Sequence, residues 1–94
     1  MSKAVARHIL VASESEAQDL KTQIEGGAAF EDLAKEHSKC PSGRDGGSLG
    51  TFSKGDMVPE FDQVVFGDLA VGAISEPVQT QFGYHLIKVE QRMD

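Results

Sequence analysis

Three histidines and one cysteine are the side chains best able to do chemistry in this 94-residue chain. His8 stands near one end in "HILV", His85 near the other in "GYHLIKV", and Cys40 between them in "SKCPSGRDGG". An imidazole changes charge close to neutral pH, and a thiol can be a nucleophile or a metal ligand. The set therefore allows a Cys/His hydrolase, a metal site, or a hydrogen-bonded, non-covalent site. Each member also has a plainer reading. A histidine of intermediate burial is commonly a satisfied structural residue, and a free cysteine packs as a small hydrophobe. His37 ends a helical stripe, where a cation-capable side chain near a helix C-terminus needs no further role. A hydrolase needs an oriented base and an oxyanion hole, and the sequence announces neither. His8, Cys40 and His85 are too widely separated to show a metal-ligand spacing, so no metal and no cofactor are expected.

What must position these residues is a small set of elements. "AVARHILV" is rich in β-formers and reads as a strand, with Ala6, His8 and Leu10 on one face and Val5, Arg7, Ile9 and Val11 on the other. Ser13 and Glu16 in "SESE" fit a capping box. A helix follows, with Ala17, Leu20 and Ile24 as its buried stripe, and it ends at Gly26-Gly27. "AFEDLAKEHS" gives a second helix with Phe30, Leu33, Ala34 and His37 on one side. Pro41 and the glycines between Cys40 and Gly50 forbid a regular helix, and "SLGTF" leaves that loop as a strand. "VPEFDQVVFG" starts a helix at proline with Phe61, Val64 and Val65 at helical spacing. Gly67 to Gly72, including Asp68, reads as turn. "ISEPVQT" reads as an edge strand, because Pro77 lacks a ladder donor. In "YHLIKVEQ", His85, Ile87 and Val89 share one face of a last strand, and Tyr84, Leu86 and Lys88 the other.

The order strand-helix-helix-strand-helix-strand-strand, with an irregular loop before the second strand, makes a single α+β domain over residues 1–94. Its sheet has four strands, surrounded by short helices. The first and last strands are the strongest β candidates and are expected to pair at the sheet centre, which would set His8 beside His85. A net charge of -6 excludes a general nucleic-acid binder, which needs a basic face. No apolar run reaches the ~18 residues that span a bilayer. One cysteine excludes an internal disulfide and favours a reduced compartment. The short apolar run at the start is followed by no small-residue cleavage site. A cytoplasmic location and a monomer are expected.

Four segments in order carry a family resemblance: the "HILV" strand, "S-x-C-P-S-G" with a "G-G-x-L-G" exit, "G-x-M-V-P-x-F", and the terminal "T-x-F-G-Y-H-x-I-K-V". Together they span nearly the whole chain and closely resemble the parvulins, peptidyl-prolyl cis/trans isomerases, in their small single-domain bacterial form. The resemblance implies the compact, FKBP-like α+β fold with a four-stranded antiparallel sheet. It also implies roles. His8 and His85 match the facing histidine pair, Thr80 the hydroxyl that joins their hydrogen-bond network, and Cys40 the polar residue flanking the substrate's peptide bond. Leu49, Met57 and Phe61 match the apolar cup for the proline ring, with Phe82 at its rim.

An Xaa–Pro bond turns over a barrier of roughly 18–20 kcal/mol set by amide resonance. No bond need be made or broken, and each ~1.4 kcal/mol removed gives tenfold in rate. A cup that grips the ring and excludes water from the imide is enough to disfavour the planar ground state. Cys40 then has two readings: a thiolate that attacks the carbonyl with a histidine as base, or a polarisable neighbour that tunes the carbonyl and the histidine pair. The second is favoured, because a thiol with a reference pKa of about 8.5 is little ionised at neutral pH and no oxyanion donor is identifiable from the sequence. The expected partners are proline-containing polypeptides or unfolded chains. Parvulins that prefer phosphorylated substrates carry basic residues after the first strand, whereas "VASESEAQ" carries Glu14 and Glu16 and no lysine or arginine. Such a loop repels phosphate, so the residue before proline is expected to be uncharged or apolar. A non-catalytic peptide-binding module would need the cup but not the histidines, Thr80 and Cys40 as well.

Overall fold

The computed structural model describes residues 3–67 and 69–93; Asp68 lies outside them. Strand β1 (Lys3–Val11) leads through helix α1 (Glu14–Glu25) and helix α2 (Phe30–His37) to one 3-10 turn at Pro41–Asp45. Strand β2 (Ser48–Ser53), helix α3 (Pro59–Val65), strand β3 (Val78–Thr80) and strand β4 (Gly83–Met93) complete the chain. All strand pairs are antiparallel and the sheet order is β2-β1-β4-β3. The first and last strands are the central pair, as the sequence indicated.

Strand alternation divides the core between the two sheet faces. Ile9, Val11 and Leu86 point to one side, where Ala17 and Leu20 of α1 and Phe30, Leu33 and Ala34 of α2 cover them. Ala4, Ala6, Ile87 and Val89 point to the other, against Phe52 of β2 and Phe61 and Val65 of α3. Ser13 caps α1 by accepting the Glu16 N–H at 3.2 Å, and Pro59 opens α3 with its φ already helical. Arg92 closes the far end of α3 by donating to the Val65 carbonyl at 2.6 Å.

One irregularity in the central pair decides which way β4 faces. Val5 pairs with Gln91 but Ala6 with Val89, so Glu90 is an extra residue bulged out of the ladder. Beyond the bulge His8 stands opposite Ile87 and Leu10 opposite His85, which puts both histidines on the α3 face. Continuing the earlier register would have set His85 opposite Val11, on the other face. Arg7 fastens the bulge: its Nε donates to Glu90 Oε1 at 3.1 Å and its Nη1 to the carbonyls of Asp45 and Gly46.

Three sequence expectations change in detail. The α1 stripe buries Lys21 (8% exposed) while Ile24 is half-buried, because Lys21 reaches Glu76 Oε1 at 2.9 Å. His37 is half-buried at the end of α2 and is not a core member. "ISEPVQT" pairs regularly only over Val78–Thr80; ahead of Pro77, Ile74 makes an isolated bridge to Lys88. Ser75 there accepts the Ile87 N–H at 2.9 Å.

Candidate active site

The α3-side core runs along β1 and β4 through Ala4, Ala6, Ile87 and Val89, and where it ends the two imidazoles begin. His8 and His85 are 6% and 5% exposed, their rings stacked with centroids 5.2 Å apart and their Nδ1 atoms 3.0 Å apart. Phe61 stands edge-on to both, at 5.7 and 5.9 Å. Burial pushes both imidazoles toward the neutral form. It is the larger cause for His8, whose pKa falls from 6.5 to about 4, with the neighbouring His85 a second cause. Desolvation also lowers His85.

Cys40 reaches the pair because the chain after α2 is stitched to β1. Ser38 Oγ accepts the N–H groups of Leu10 and Cys40, and the Lys39 N–H donates to the Leu10 carbonyl at 2.8 Å. Gly47 lies against the β1 backbone: its carbonyl accepts the His8 N–H at 3.0 Å. Its φ is +84°, and a Cβ there would meet the His8 carbonyl oxygen at 2.4 Å. Only glycine satisfies both conditions.

A hydroxyl that the sequence reading did not single out joins thiol to imidazole. Ser42 Oγ lies 3.1 Å from His8 Nε2 and donates to Cys40 Sγ at 3.3 Å. At the other end Thr80 Oγ1 is 2.8 Å from His85 Nε2 and accepts the Phe82 N–H at 3.2 Å. The network assigns the tautomers. With its one hydroxyl proton donated to Cys40 Sγ, Ser42 Oγ accepts from His8 Nε2–H. Neutral His8 then presents a bare Nδ1 to His85 Nδ1–H, and the bare Nε2 of His85 accepts the Thr80 hydroxyl proton. Every donor from Phe82 to Cys40 points the same way.

Over this chain of bonds lies a cavity of about 400 Å³. Seven of the eight residues singled out from the sequence line it: His8, Cys40, Leu49, Met57, Phe61, Phe82 and His85. Thr80, the eighth, stands behind His85. Phe82 is 63% exposed, at the rim. The reading missed Leu10, Lys39, Pro41 and Val58 in the lining. Leu10 was findable, two residues after His8 on the same strand face; Lys39 and Pro41 flank Cys40 and were passed over as loop. Among the described residues Lys39 is the one charged member of the wall.

The class of domain that carries this apolar cup and its neutral imidazole pair is named by comparison with known proteins. The family described as "Rotamase: PPIC-type PPIASE domain" matches residues 6–91, and the chain belongs to it: a parvulin-type peptidyl-prolyl isomerase domain. It is 49% identical over 90 residues to the foldase protein PrsA of Exiguobacterium sibiricum, covering 95% of this chain and 30% of that one. The crystal structure of the PrsA peptidylprolyl isomerase of Bacillus anthracis superposes with a TM-score of 0.95 at 44% identity, over 99% of this chain and 43% of that one. The solution structure of NmPin, the parvulin of Nitrosopumilus maritimus, gives 0.86 at 41% identity, over 97% and 98% of the two chains. This chain thus spans about 30% of the length of the PrsA relative and nearly all of NmPin.

Proposed function

We propose that the domain accelerates cis/trans rotation about Xaa–Pro bonds in unphosphorylated polypeptides, without a covalent intermediate, and so assists protein folding. The observation that carries this is the apolar cup closed on one side by a buried, neutral His8–His85 pair. Leu49, Met57 and Phe61 hold the pyrrolidine ring, and Phe82 covers it from the rim. The imide, taken out of water, loses the hydrogen bonds that favour its planar form. His8, His85 and Thr80 fix the wall against which the carbonyl swings, and Cys40 sits beside that carbonyl.

The non-covalent course is supported by the imidazole next to the thiol. A His8 pKa of about 4 makes a poor base at neutral pH, and Ser42 stands between that imidazole and the sulfur. A reduced, cytoplasmic setting, in which the single thiol of Cys40 stays free, is part of this reading. Phe82, the most exposed large apolar side chain among the described residues, belongs to the cup, which supports a monomer. Thiol titration of protein drawn from each cell fraction, and sedimentation, check these two points.

The deciding experiment is NMR exchange spectroscopy on Ala-Xaa-Pro-Phe peptides with Xaa as leucine, glutamate or phosphoserine. Sub-second exchange is expected on the leucine peptide, and its loss in a folded His8→Ala/Leu49→Ala variant. Binding without acceleration would reduce the domain to a peptide-binding module. Faster turnover of phosphoserine than of leucine would overturn the preference for unphosphorylated chains.

A further inference from the structure

Beside the cup lies a second recess of about 470 Å³, and Lys39, Cys40 and Pro41 line both. Lys35 from the last turn of α2 and Arg44 from the 3-10 turn complete its charged wall. Three of the nine lysines and arginines of a chain of net charge -6 thus converge on one hollow beside the site. They are exposed, and among the described residues none of them is paired with a carboxylate. Elsewhere Arg7 is held by Glu90 and Lys21 by Glu76. The acid next to Lys35, Glu36, is turned to His37 at 3.8 Å.

We propose that this recess is a subsite for an acidic side chain of the substrate, carried by the residue two before the proline. The assignment rests on the isomerase reading above. In this proposal the ring sits in the cup, the Xaa–Pro bond lies beside Cys40, and the substrate runs toward its N-terminus over Cys40 and Pro41, the residues that line both hollows. One further residue, about 3.3–3.6 Å along an extended chain, brings a side chain to the recess. Xaa itself stays apolar. Three unpaired cations attract a carboxylate there, while the chain's net negative charge repels acidic segments everywhere else.

The test compares Ala-Glu-Leu-Pro-Phe with Ala-Gln-Leu-Pro-Phe, and with a control peptide carrying glutamate after the phenylalanine. A gain in kcat/KM of about threefold for the first peptide over its glutamine twin is expected, the size an exposed ion pair supports. It should shrink in 0.5 M salt, be absent in the control peptide, and fall to parity in Lys35→Gln/Arg44→Gln. Equal rates for the two peptides in the unmodified domain, or a ratio kept by the double variant, overturn the subsite and leave the isomerase standing. If no peptide is accelerated, the isomerase reading falls. Amide shifts at Lys35, Lys39 and Arg44, larger with glutamate than glutamine, then still decide whether the recess binds acid.

Discussion

Acidification is the perturbation that reads the imidazole pair most directly. In the unfolded chain His8 takes up a proton near 6.5; in the folded domain burial, and then the neighbouring His85, hold that back to about 4. Between those values the unfolded state binds more protons, so stability rises with pH. The contribution is complete above 6.5 and drains away as pH falls toward 4. From pH 7.5 to 5 His8 alone should cost about 2 kcal/mol, and roughly 3 kcal/mol over the full span. His85 is lowered in the same direction and adds to the loss. Against a total of about 5–15 kcal/mol for a domain, that is a large fraction. Urea unfolding at pH 7.5, 6.5, 5.5 and 5.0 measures it, with His8→Asn as comparator. The variant should show a shallower slope over this range, which lies above most carboxylate titrations. Equal slopes in the two proteins, or a His8 ring that titrates near 6.5 by NMR, would falsify the claim that burial holds the pair neutral.

Other substitutions test single links. Cys40→Asp keeps a polar neighbour without the thiol and should retain substantial activity; complete inactivity in a folded protein would support the covalent thiol route instead. Ser42→Ala should lower kcat more than it raises KM, and release His8 from the Nε2–H tautomer, seen in its ring nitrogen shifts; an unchanged tautomer would dismiss the serine as a link. Gly47→Ala should destabilise by more than about 1 kcal/mol and lower activity through His8. Gly50→Ala, also at positive φ but with open space around it, should show only the backbone cost. Similar losses of activity in both would mean the contact with His8 does not matter.

The β-former content of "AVARHILV" and "YHLIKVEQ" was enough to mark the two strongest strands and to suggest their pairing, and the alternation of side chains along any strand then placed His8 and His85 on faces. The bulge at Glu90 that brings the two faces into agreement left no such mark. A polar residue near a strand end looks the same paired or unpaired. Lys21 was passed over in α1 because its burial depends on Glu76, a partner 55 residues away that no local pattern announces. Ser42 escaped for a related reason. A serine two residues from a cysteine is unremarkable until folding lays the loop against β1. Pro77 correctly signalled an edge strand but not its shortness, since the bridge at Ile74 depends on β4.

The pairing of first strand with last has a consequence in time. His8 and His85 are 77 positions apart, and the contact that joins them closes a loop of nearly the whole chain. Such a connection is entropically slow to make, and on the ribosome it cannot begin until the final strand has emerged. A nascent fragment ending before β4 lacks the second imidazole that faces His8 Nδ1, whatever helices it has formed. Activity is therefore expected to switch on all at once, when β4 joins the domain. Any segment fused beyond β4 would delay release of the chain from the ribosome without delaying assembly of the site.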